Sequence, residues 1–447
     1  MGTVVRFWWP LAASWLLMSA EMPLVTAFVA RMPEATYQLA AFGVALSLAL
    51  AVESPVISLL TAANALARDR GSLRLLRRFM LGLNAAATAA LLLLTLTSLF
   101  DLVIVRLMGT PAEIAVYVRP ALLALTPWPA AIGYRRFCQG LMIQHGHTRQ
   151  VSYGTAMRLV TSLAALIAGS AWGRLAGATM GGLALAASVL AEAVCAHYLS
   201  RPAARAIEAM DASTADTALS LRSLVQFYWP LTVTSTIMLS TTPILNWGMA
   251  RSPHPISSLA VWPVVNGQLF VLRSFGYSLQ EVVIALLHRP GAPQKLRTFS
   301  IALGAGSLAL ILAVALTPLG PWWQRRVAGL SADLAAFAVP ALQLAVLLPL
   351  FAVVQSWLRG IVVYGQATGA IAQATVVNLA VLAATFLAGA SLSELPGASL
   401  AAIALTASQG VESAWLWHSA RPTRQRRNPG RAGWRPGRDA AGRPRTR

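Results

Sequence analysis

The stretch Phe7-Trp8-Trp9-Pro10-Leu11 recurs 220 residues later in the chain as Phe227-Tyr228-Trp229-Pro230-Leu231. The match continues, because Ala30-Arg31-Met32-Pro33 aligns with Ala250-Arg251-Ser252-Pro253 at the same offset. In total, 22 of the 77 positions from 5 to 81 are identical to their counterparts without a gap. Since this exceeds what an Ala- and Leu-rich composition gives by chance, the pattern predicts an internal repeat.

The composition is that of a membrane protein. Of the 447 residues, 57% are hydrophobic and 11% are charged, whereas soluble domains carry about 25% charged residues. The sequence therefore excludes a cytosolic enzyme, a disordered chain and a disulfide-stapled secreted domain. Cys138 and Cys195 form no CxxC or Cys/His pattern, so neither a disulfide framework nor a metal site is predicted.

Hydropathy predicts an all-α integral membrane protein with about 12 transmembrane helices, since each crossing needs about 20 apolar residues. The predicted spans are 7–30, 36–60, 76–99, 118–142, 151–171, 175–198, 225–249, 257–287, 298–318, 334–358, 366–389 and 396–418.

The offset of the repeat defines the organisation of the chain. Six predicted spans separate the two copies, so both halves have the same orientation and form a parallel repeat around an axis along the membrane normal. We expect an N-terminal six-helix half over 1–198, a cytoplasmic linker over 199–224 and a C-terminal half over 225–420. Residues 421–447 hold ten arginines and one aspartate, and we expect them to be a disordered tail.

The basic residues predict the orientation. The net charge is +20, and most basic loops alternate along the chain on the side that carries both termini. The positive-inside rule then places both termini in the cytoplasm, in what we expect to be a bacterial inner membrane. Arg325 and Arg326, in an opposite loop, are an exception. We expect the Arg-rich tail to meet anionic lipid headgroups, with no nucleic acid as partner, and the protein to be a monomer.

Several charged residues fall inside predicted spans, where insertion costs about 2.5–3.5 kcal/mol each. Glu21 lies two residues before Pro23, and a proline kinks a helix because it removes a backbone hydrogen bond. The sequence therefore predicts ion coupling at Glu21 and a hinge at Pro23. The equivalent positions are Thr241 and Pro243, so the hinge is repeated but the acid is not. The alternative is that Glu21 is hydrogen-bonded to a neighbouring helix for packing.

Glu53 and Arg273 occupy the same position in the two repeats. Because residues related by a central axis lie at equal depth and equal distance from it, they are predicted to face one cavity. Opposite charges there predict an ion pair between the halves, with Glu53 as a second ion-coupling acid. In the alternative, each residue finds a partner within its own half.

Further polar residues predict a substrate cavity that favours an anion, because guanidinium groups bind carboxylate and phosphate in a bidentate manner. Alternatively, the acids Glu21, Glu53, Glu192 and Glu412 neutralise every arginine, and the neutral amides join helices. The predicted cavity residues are Arg135, Arg136, Arg158, Glu192, Arg273, Asn246, Asn266 and Gln268.

Enzyme signatures are absent from the sequence. It contains no P-loop, HExxH or GxSxG motif, so catalysis and ATP hydrolysis are not predicted. We expect no catalytic residues, and no cofactor beyond a bound Na⁺ or H⁺.

Twelve spans in two parallel halves, with an acid in a Pro-kinked first helix, resemble the multidrug and toxic compound extrusion (MATE) class of the MOP flippase superfamily. Within it, the chain most resembles the progressive ankylosis family, linked to export of pyrophosphate, ATP and citrate. The resemblance covers residues 5–420. It rests on residues 7–11 with their repeat at 227–231, Glu21, residues 39–48, Ser54-Pro55 and Arg68-Asp69-Arg70.

The resemblance implies a V-shaped bundle whose halves rock between inward- and outward-facing states. The MATE first-helix acid, often an aspartate, maps onto Glu21. We expect a secondary transporter that exports an anion resembling pyrophosphate, a nucleotide or citrate, coupled to H⁺ or Na⁺. The alternatives are a cationic-drug antiporter or a lipid-linked flippase of the same fold, and, in a different class, a non-transporting membrane scaffold.

Overall fold

The computed structural model describes residues 2–210, 219–287, 291–364 and 369–425, with the side chains at 148 and 421–425 left aside. Every regular element in these residues is helical, so the predicted all-α fold class is confirmed. The N-terminal half consists of α1 (Gly2–Val29), α2 (Ala35–Ile57), α3 (Leu59–Leu66), α4 (Arg70–Leu96), the π-helix π1 (Asp101–Leu107), α5 (Ala112–Ala124), α6 (Trp128–Gln144), α7 (Thr148–Trp172) and α8 (Gly177–Glu208).

The C-terminal half repeats this order. Its elements are α9 (Leu221–Leu239), α10 (Thr241–Met249), α11 (Pro255–Tyr277), α12 (Leu279–Leu286), α13 (Ala292–Leu316), α14 (Leu319–Trp322), the π-helix π2 (Trp323–Val327), α15 (Ala332–Leu344), α16 (Leu348–Tyr364), α17 (Gly369–Leu392) and α18 (Gly397–Gln425).

The 220-residue offset holds well beyond the stretch in which the sequences match, since α15 and α16 begin and end 220 residues after α5 and α6. The break between α2 and α3 at Ser58 reappears between α11 and α12 at Ser278. The left-handed backbone of Glu34 reappears at His254, with φ of 55° and 54°. The same architecture is therefore built twice, from largely different side chains.

The helices form twelve rods when consecutive pieces such as α2 and α3 are joined, in agreement with the predicted number of spans. Nine helices in the described part of the chain are long and apolar enough to cross a membrane. The protein is thus a multi-pass membrane protein. We call the end of the bundle that holds residue 2 the near end, and the opposite end, where α1 finishes, the far end.

Both predicted connecting segments are shorter than expected. Helix α8 continues to Glu208, ten residues into the predicted linker, because Ala203, Ala204 and Ile207 extend its buried face. Helix α18 continues to Gln425. Residues 211–218 of the predicted linker and 426–447 of the Arg-rich tail lie outside the described residues. The prediction that the tail is disordered falls on these residues and stays a prediction.

The two halves meet where α2 crosses α11, close to the far end. A Cβ atom added to Gly43 would lie 3.2 Å from Pro263 Cγ and 3.6 Å from the Leu259 carbonyl oxygen. Gly43 and Pro263 are equivalent positions in the repeat, so this contact lies at the pseudo-twofold axis. Asn246 adds a hydrogen bond from its Nδ2 to the Gly43 carbonyl oxygen, 3.2 Å long.

Two equivalent arginines, which we call the arginine latches, tie the halves together at the far end. Arg31 Nη2 donates to the carbonyl oxygens of Arg326 and Val327, at 2.8 and 3.0 Å. Arg251 donates to the carbonyl oxygens of Leu107 and Met108, at 2.7 and 2.6 Å. Each arginine therefore binds carbonyl groups at the end of the other half's π-helix, where helical backbone lacks partners for its last carbonyls.

The glycine after each π-helix leaves room for the latch. Gly109 and Gly329 have φ of 70° and 78°, a region that favours glycine. A Cβ atom at Gly109 would lie 2.9 Å from Arg251 Nη1, and one at Gly329 would lie 2.6 Å from Arg31 Nη1. Glycine is thus required at both positions, because of the positive φ and because the guanidinium group of the latch arginine lies so close to the backbone.

Near-end contacts also join the halves in equivalent pairs. Trp8 Nε1 donates to the Phe275 carbonyl oxygen at 3.2 Å, and Tyr228 Oη donates to the Pro55 carbonyl oxygen at 2.5 Å. The first helix of each half therefore packs onto the other half. On the α1 side this contact extends into a hydrophobic cluster with α12, α13 and α16.

Removing both latches in Arg31→Ala/Arg251→Ala should open the far end, because four hydrogen bonds between the halves are lost. The distance between two spin labels is measured by double electron-electron resonance. The labels are attached at Arg174→Cys and Glu394→Cys, after Cys138→Ala and Cys195→Ala have removed the native cysteines. We expect a longer, broader distance distribution, with equal intermediate effects of the single variants. The control Arg297→Ala changes an exposed arginine of α13 and should leave the distance unaltered. Unchanged distances in the double variant would contradict the latch role.

Candidate functional site

Glu192 on α8 is the centre of a buried charged cluster in the N-terminal half. Its carboxylate accepts two hydrogen bonds from Arg135 Nη1, at 2.7 and 2.8 Å. Gln139 Nε2 donates to it at 3.3 Å, and Arg158 Nη1 lies 3.8 Å away. The Glu192 and Arg135 side chains are 1% and 6% exposed, so the pair is removed from solvent. The sequence predicts Arg135, Arg158 and Glu192 as residues of a substrate cavity, and in the structure they pair with one another.

Glu21 extends the cluster onto α1. Arg158 donates to Glu21 Oε2 from Nε and Nη2, at 2.7 and 2.5 Å, and Ser188 Oγ donates to Oε1 at 2.7 Å. The guanidinium group of Arg158 thus connects Glu21 with Glu192. A change in the charge of Glu21 would therefore alter the partners of Arg158.

The two predicted proline hinges differ. Helix α1 runs without a break through Pro23 from Gly2 to Val29. In the C-terminal half, helix α9 ends at Leu239 and α10 begins at Thr241. Pro243 has no backbone N–H, so the carbonyl oxygen of Leu239, four residues earlier, lacks its usual helical hydrogen bond. The interruption is therefore present only in the half that lacks the acid.

The predicted ion pair between Glu53 and Arg273 is not formed, so this prediction is wrong for the conformation seen. Trp128 Nε1 donates to Glu53 Oε2 within the N-terminal half. The guanidinium group of Arg158 lies over the Trp128 ring, 5.4 Å from its centroid. Because the indole satisfies Glu53 locally, the acid belongs to the N-terminal cluster and not to a bridge between the halves.

The C-terminal half repeats the buried acid with a different set of partners. Glu412 is equivalent to Glu192, and it accepts hydrogen bonds from Arg359 and from Asn378 Nδ2, the latter at 2.9 Å. Arg359 is equivalent to Gln139, whereas the position of Arg135 holds Gln355. The acids therefore occupy equivalent positions in the two halves, whereas the arginine that pairs with the acid lies one helical turn later in the C-terminal half. Sequence reasoning missed the Arg359–Glu412 pair, although extending the 220-residue comparison to Glu192 would have revealed it.

Within the set of Arg135, Arg136, Arg158, Arg273 and Arg359, two arginines have no carboxylate partner among the described residues, namely Arg136 and Arg273. Four of the five carboxylates in the predicted spans are already engaged, by Arg158, Trp128, Arg135 and Arg359. The fifth, Glu281, is exposed near the end of its span. The Nε atoms of both free arginines are buried without a hydrogen-bond partner. Arg136 lies within electrostatic range of Glu53, and Arg273 lies over the Tyr277 ring, 5.3 Å from its centroid.

Arg273 belongs to a partly exposed stripe along α11 that faces the other half. The stripe has helical spacing and consists of Pro263, Asn266, Phe270, Arg273 and Tyr277. Pro263 is in contact with Gly43, so the stripe starts at the crossing with α2. Arg273 lies ten residues further on, roughly 15 Å towards the near end.

The equivalent stripe on α2 is mainly apolar. It consists of Gly43, Leu46, Leu50, Glu53 and Ile57, of which all but Glu53 are partly exposed. Trp15 of α1 stacks beside Tyr277 at a ring distance of 5.3 Å. The cleft between the stripes therefore has an apolar wall on α2 and an aromatic, cationic wall on α11.

The remaining predicted cavity residues are divided between the cleft and the packing. Asn266 lies on the cleft stripe, as predicted. Asn246 joins the halves through Gly43. Gln268 is buried and accepts a hydrogen bond from Gln324 Nε2 at 2.6 Å, because its position on α11 points away from the cleft. No group of three His, Cys, Asp or Glu side chains within the described ranges is arranged to hold a metal ion.

Comparison with solved structures places this geometry in a known fold. The chain is 13% identical to an inward-facing multidrug resistance MATE family transporter of the MOP superfamily, with a TM-score of 0.65 over 91% of this chain and 96% of that one. The chain has the fold of MOP superfamily transporters. The lipid II flippase MurJ in its inward closed conformation is 11% identical, with a TM-score of 0.65 over 92% of this chain and 87% of MurJ.

A further match is a MOP superfamily transporter from Pyrococcus furiosus, with 14% identity and a TM-score of 0.60 over 94% of this chain and 97% of that one. Its description states that a binding pocket of reverse polarity suggests a different function. No protein-family model and no curated protein matches the sequence. The finer resemblance to the progressive ankylosis family stays a prediction.

Glu192→Gln should destabilise the protein strongly, because it leaves Arg135 buried without a counterion. Breaking a buried ion pair from one side costs about 3–5 kcal/mol. The measurement is thermal unfolding of the purified protein in detergent. The matched control is Arg77→Gln, which breaks a half-exposed pair with Glu208 and should cost less than about 1 kcal/mol. Adding Arg135→Gln to Glu192→Gln should restore part of the loss. Equal effects of Glu192→Gln and Arg77→Gln would contradict the role of the cluster.

Proposed function

We propose that this protein is a secondary transporter that moves a small anion, bearing phosphate or carboxylate groups, across the membrane by alternating access. The fold is that of transporters and a flippase of the MOP superfamily. The observation that carries the choice of an anion is the pair of arginines, Arg136 and Arg273, left without carboxylate partners. A negatively charged substrate would supply the missing counterion.

The physical argument is the cost of an unpaired charge inside the membrane. A guanidinium group at that depth is unfavourable unless it has a partner or contacts water. The charged set consists of Arg135, Arg136, Arg158, Arg273 and Arg359, with the acids Glu21, Glu53, Glu192, Glu412 and the exposed Glu281. Because Arg136 and Arg273 have no carboxylate partner among the described residues, a cationic drug beside them would meet repulsion, whereas an anion would gain bidentate hydrogen bonds.

Coupling to H⁺ or Na⁺ is assigned to Glu21. Either cation competes with Arg158 for the same carboxylate, whose partners are shown by hydrogen bonds of 2.5–2.7 Å. The released Arg158 would then shift towards Glu192, 3.8 Å away. Thr241 at the equivalent position cannot replace the acid, so coupling is confined to the N-terminal half.

The proposed orientation places the near end in the cytoplasm of a bacterial cell, because Arg68, Arg70, Arg74, Arg77 and Arg78 cluster at that end. In this orientation the arginine latches close the end that faces away from the cytoplasm. Substrate would enter from the cytoplasm and leave after the latches open, which corresponds to export.

A lipid-linked flippase is the second candidate, favoured by the similarity to MurJ and by the loose packing of α9. None of the residues from 229 to 244 is buried, whereas the equivalent part of α1 buries Ala12, Ser19 and Glu21. A flippase needs such a lateral opening for the lipid tail. A soluble anion does not need it, so transport of a tail-free anion separates the two candidates.

The test is uptake of labelled pyrophosphate and labelled citrate into inverted vesicles that contain the protein. We expect protein-dependent uptake of at least one of them, reduced about tenfold or more in Arg273→Gln, since a hydrogen bond to a charged group contributes about 1.5–3 kcal/mol. Arg78→Gln, which changes an exposed arginine of α4, is the control and should transport normally. Accumulation of a cationic dye instead, with no anion uptake, would contradict the proposal.

Glu21→Gln should abolish the dependence of uptake on an imposed pH or Na⁺ gradient. The neutral glutamine has no carboxylate for which Arg158 and H⁺ or Na⁺ could compete. Anion binding, measured by isothermal titration, should persist because Glu21 does not contact the cleft stripe. Glu208→Gln, which changes a half-exposed acid of α8, is the control and should keep the gradient dependence. Gradient-driven uptake by Glu21→Gln equal to that of the unaltered protein would exclude Glu21 as the coupling acid.

A further inference from the structure

The far end of the C-terminal half carries a basic pocket that the proposed transport cycle does not use. The pocket lies beside π2 and has a volume of about 550 Å³. Its lining includes Trp322, Arg325, Arg326 and Ser331. Arg325 and Arg326 are the pair that departs from the positive-inside pattern of the other loops.

The two arginines have no counterion in the part of the chain that the structure describes. No ion pair or hydrogen bond joins either side chain to a described residue. Both are exposed at the surface. The positive charge of this pocket is therefore available to a ligand.

The equivalent surface of the N-terminal half lacks these features. Asp101 stands where the pocket has Pro321, Leu102 where it has Trp322, and Val105 where it has Arg325. Asp101 also pairs with Arg119 at 3.5 Å. The C-terminal half has thus lost an acid and gained an arginine and an indole, although the backbone is the same.

The pocket lies at the rim of the apolar surface. Leu316, Leu319 and Trp322, which precede the arginines, are 62%, 52% and 53% exposed. Such apolar side chains contact lipid tails, and tryptophan is enriched at the level of the headgroups. A ligand here is therefore held between the headgroup layer and π2.

The pocket is also joined to a latch. The carbonyl oxygen of Arg326 accepts the hydrogen bond from Arg31 Nη2, and so does that of Val327. Binding at the Arg325 and Arg326 side chains would restrain the same turn of π2 whose carbonyl groups hold the other half. A ligand in the pocket thus favours the conformation in which the far end is closed.

We propose that this pocket binds the phosphate-bearing headgroup of an anionic lipid in the leaflet at the far end, and that binding stabilises the closed far end. Two guanidinium forks suit the phosphate oxygens, while Trp322 and the leucines contact the acyl chains. A lipid is favoured over a free anion because the exposed apolar side chains adjoin the arginines. The proposal does not depend on which substrate the cleft binds.

The test uses the full-length protein in nanodiscs of phosphatidylcholine, with or without phosphatidylglycerol. Lipid retention is measured by native mass spectrometry, and closure by the spin distance between labels at Arg174→Cys and Glu394→Cys. We expect phosphatidylglycerol to be retained and to shift the distance towards the closed value. Arg325→Gln/Arg326→Gln should weaken retention about thirtyfold, since each surface arginine contributes about fivefold, and should abolish the shift.

The matched control is Arg106→Gln, which changes the equivalent arginine of π1 and should behave like the unaltered protein. Arg325→Lys/Arg326→Lys, which keeps the charge, should keep part of the retention. Equal retention by the glutamine variant would overturn the site. Lost retention without a change in distance would overturn its link to the latch. A shift produced by inorganic phosphate in phosphatidylcholine nanodiscs would show a free-anion site and overturn the lipid assignment.

Discussion

The contact between the halves at the far end is the constraint on which the rest of the structure depends. Gly43 and Pro263 touch at the pseudo-twofold axis, and Arg31 and Arg251 bind the carbonyl groups that end the opposite π-helices. Because both latches obey the 220-residue repeat, they close the same end together. The halves are joined at the near end too, by Trp8 and Tyr228, which also obey the repeat.

The second constraint is the cost of charge in a medium of low polarity. In the N-terminal half, Glu21, Arg158, Glu192 and Arg135 form one chain of ion pairs with alternating charge. Each group is tolerated because its neighbour has the opposite sign. Arg136 and Arg273 fall outside this arrangement. Their unpaired charge is the observation behind the proposed anionic substrate, because function is argued from the chemistry of a site and not from the fold.

The two halves share the same order of helices but differ in their charged side chains. Glu192 and Glu412 are equivalent and both pair with arginine, yet the arginine comes from Arg135 in one half and from Arg359, one turn later, in the other. Glu21 has no acidic counterpart, and only the C-terminal helix breaks before its proline. The same holds at the surface, where π2 has an arginine pocket and π1 an aspartate. The two halves therefore have the same backbone architecture, but several of their charged residues lie at different positions.

The sequence by itself determined the all-α fold, the number of spans and the parallel repeat, because apolar length and internal identity are properties of the chain alone. It also located nearly every buried charge, since charged residues are conspicuous in apolar spans. Only the tertiary structure decided their partners. Glu53 was expected to meet Arg273 by symmetry, but the indole of Trp128 is closer. Pairing depends on distances of a few ångströms between helices remote in sequence, and the latches bind backbone carbonyl groups, which no side-chain pattern reveals.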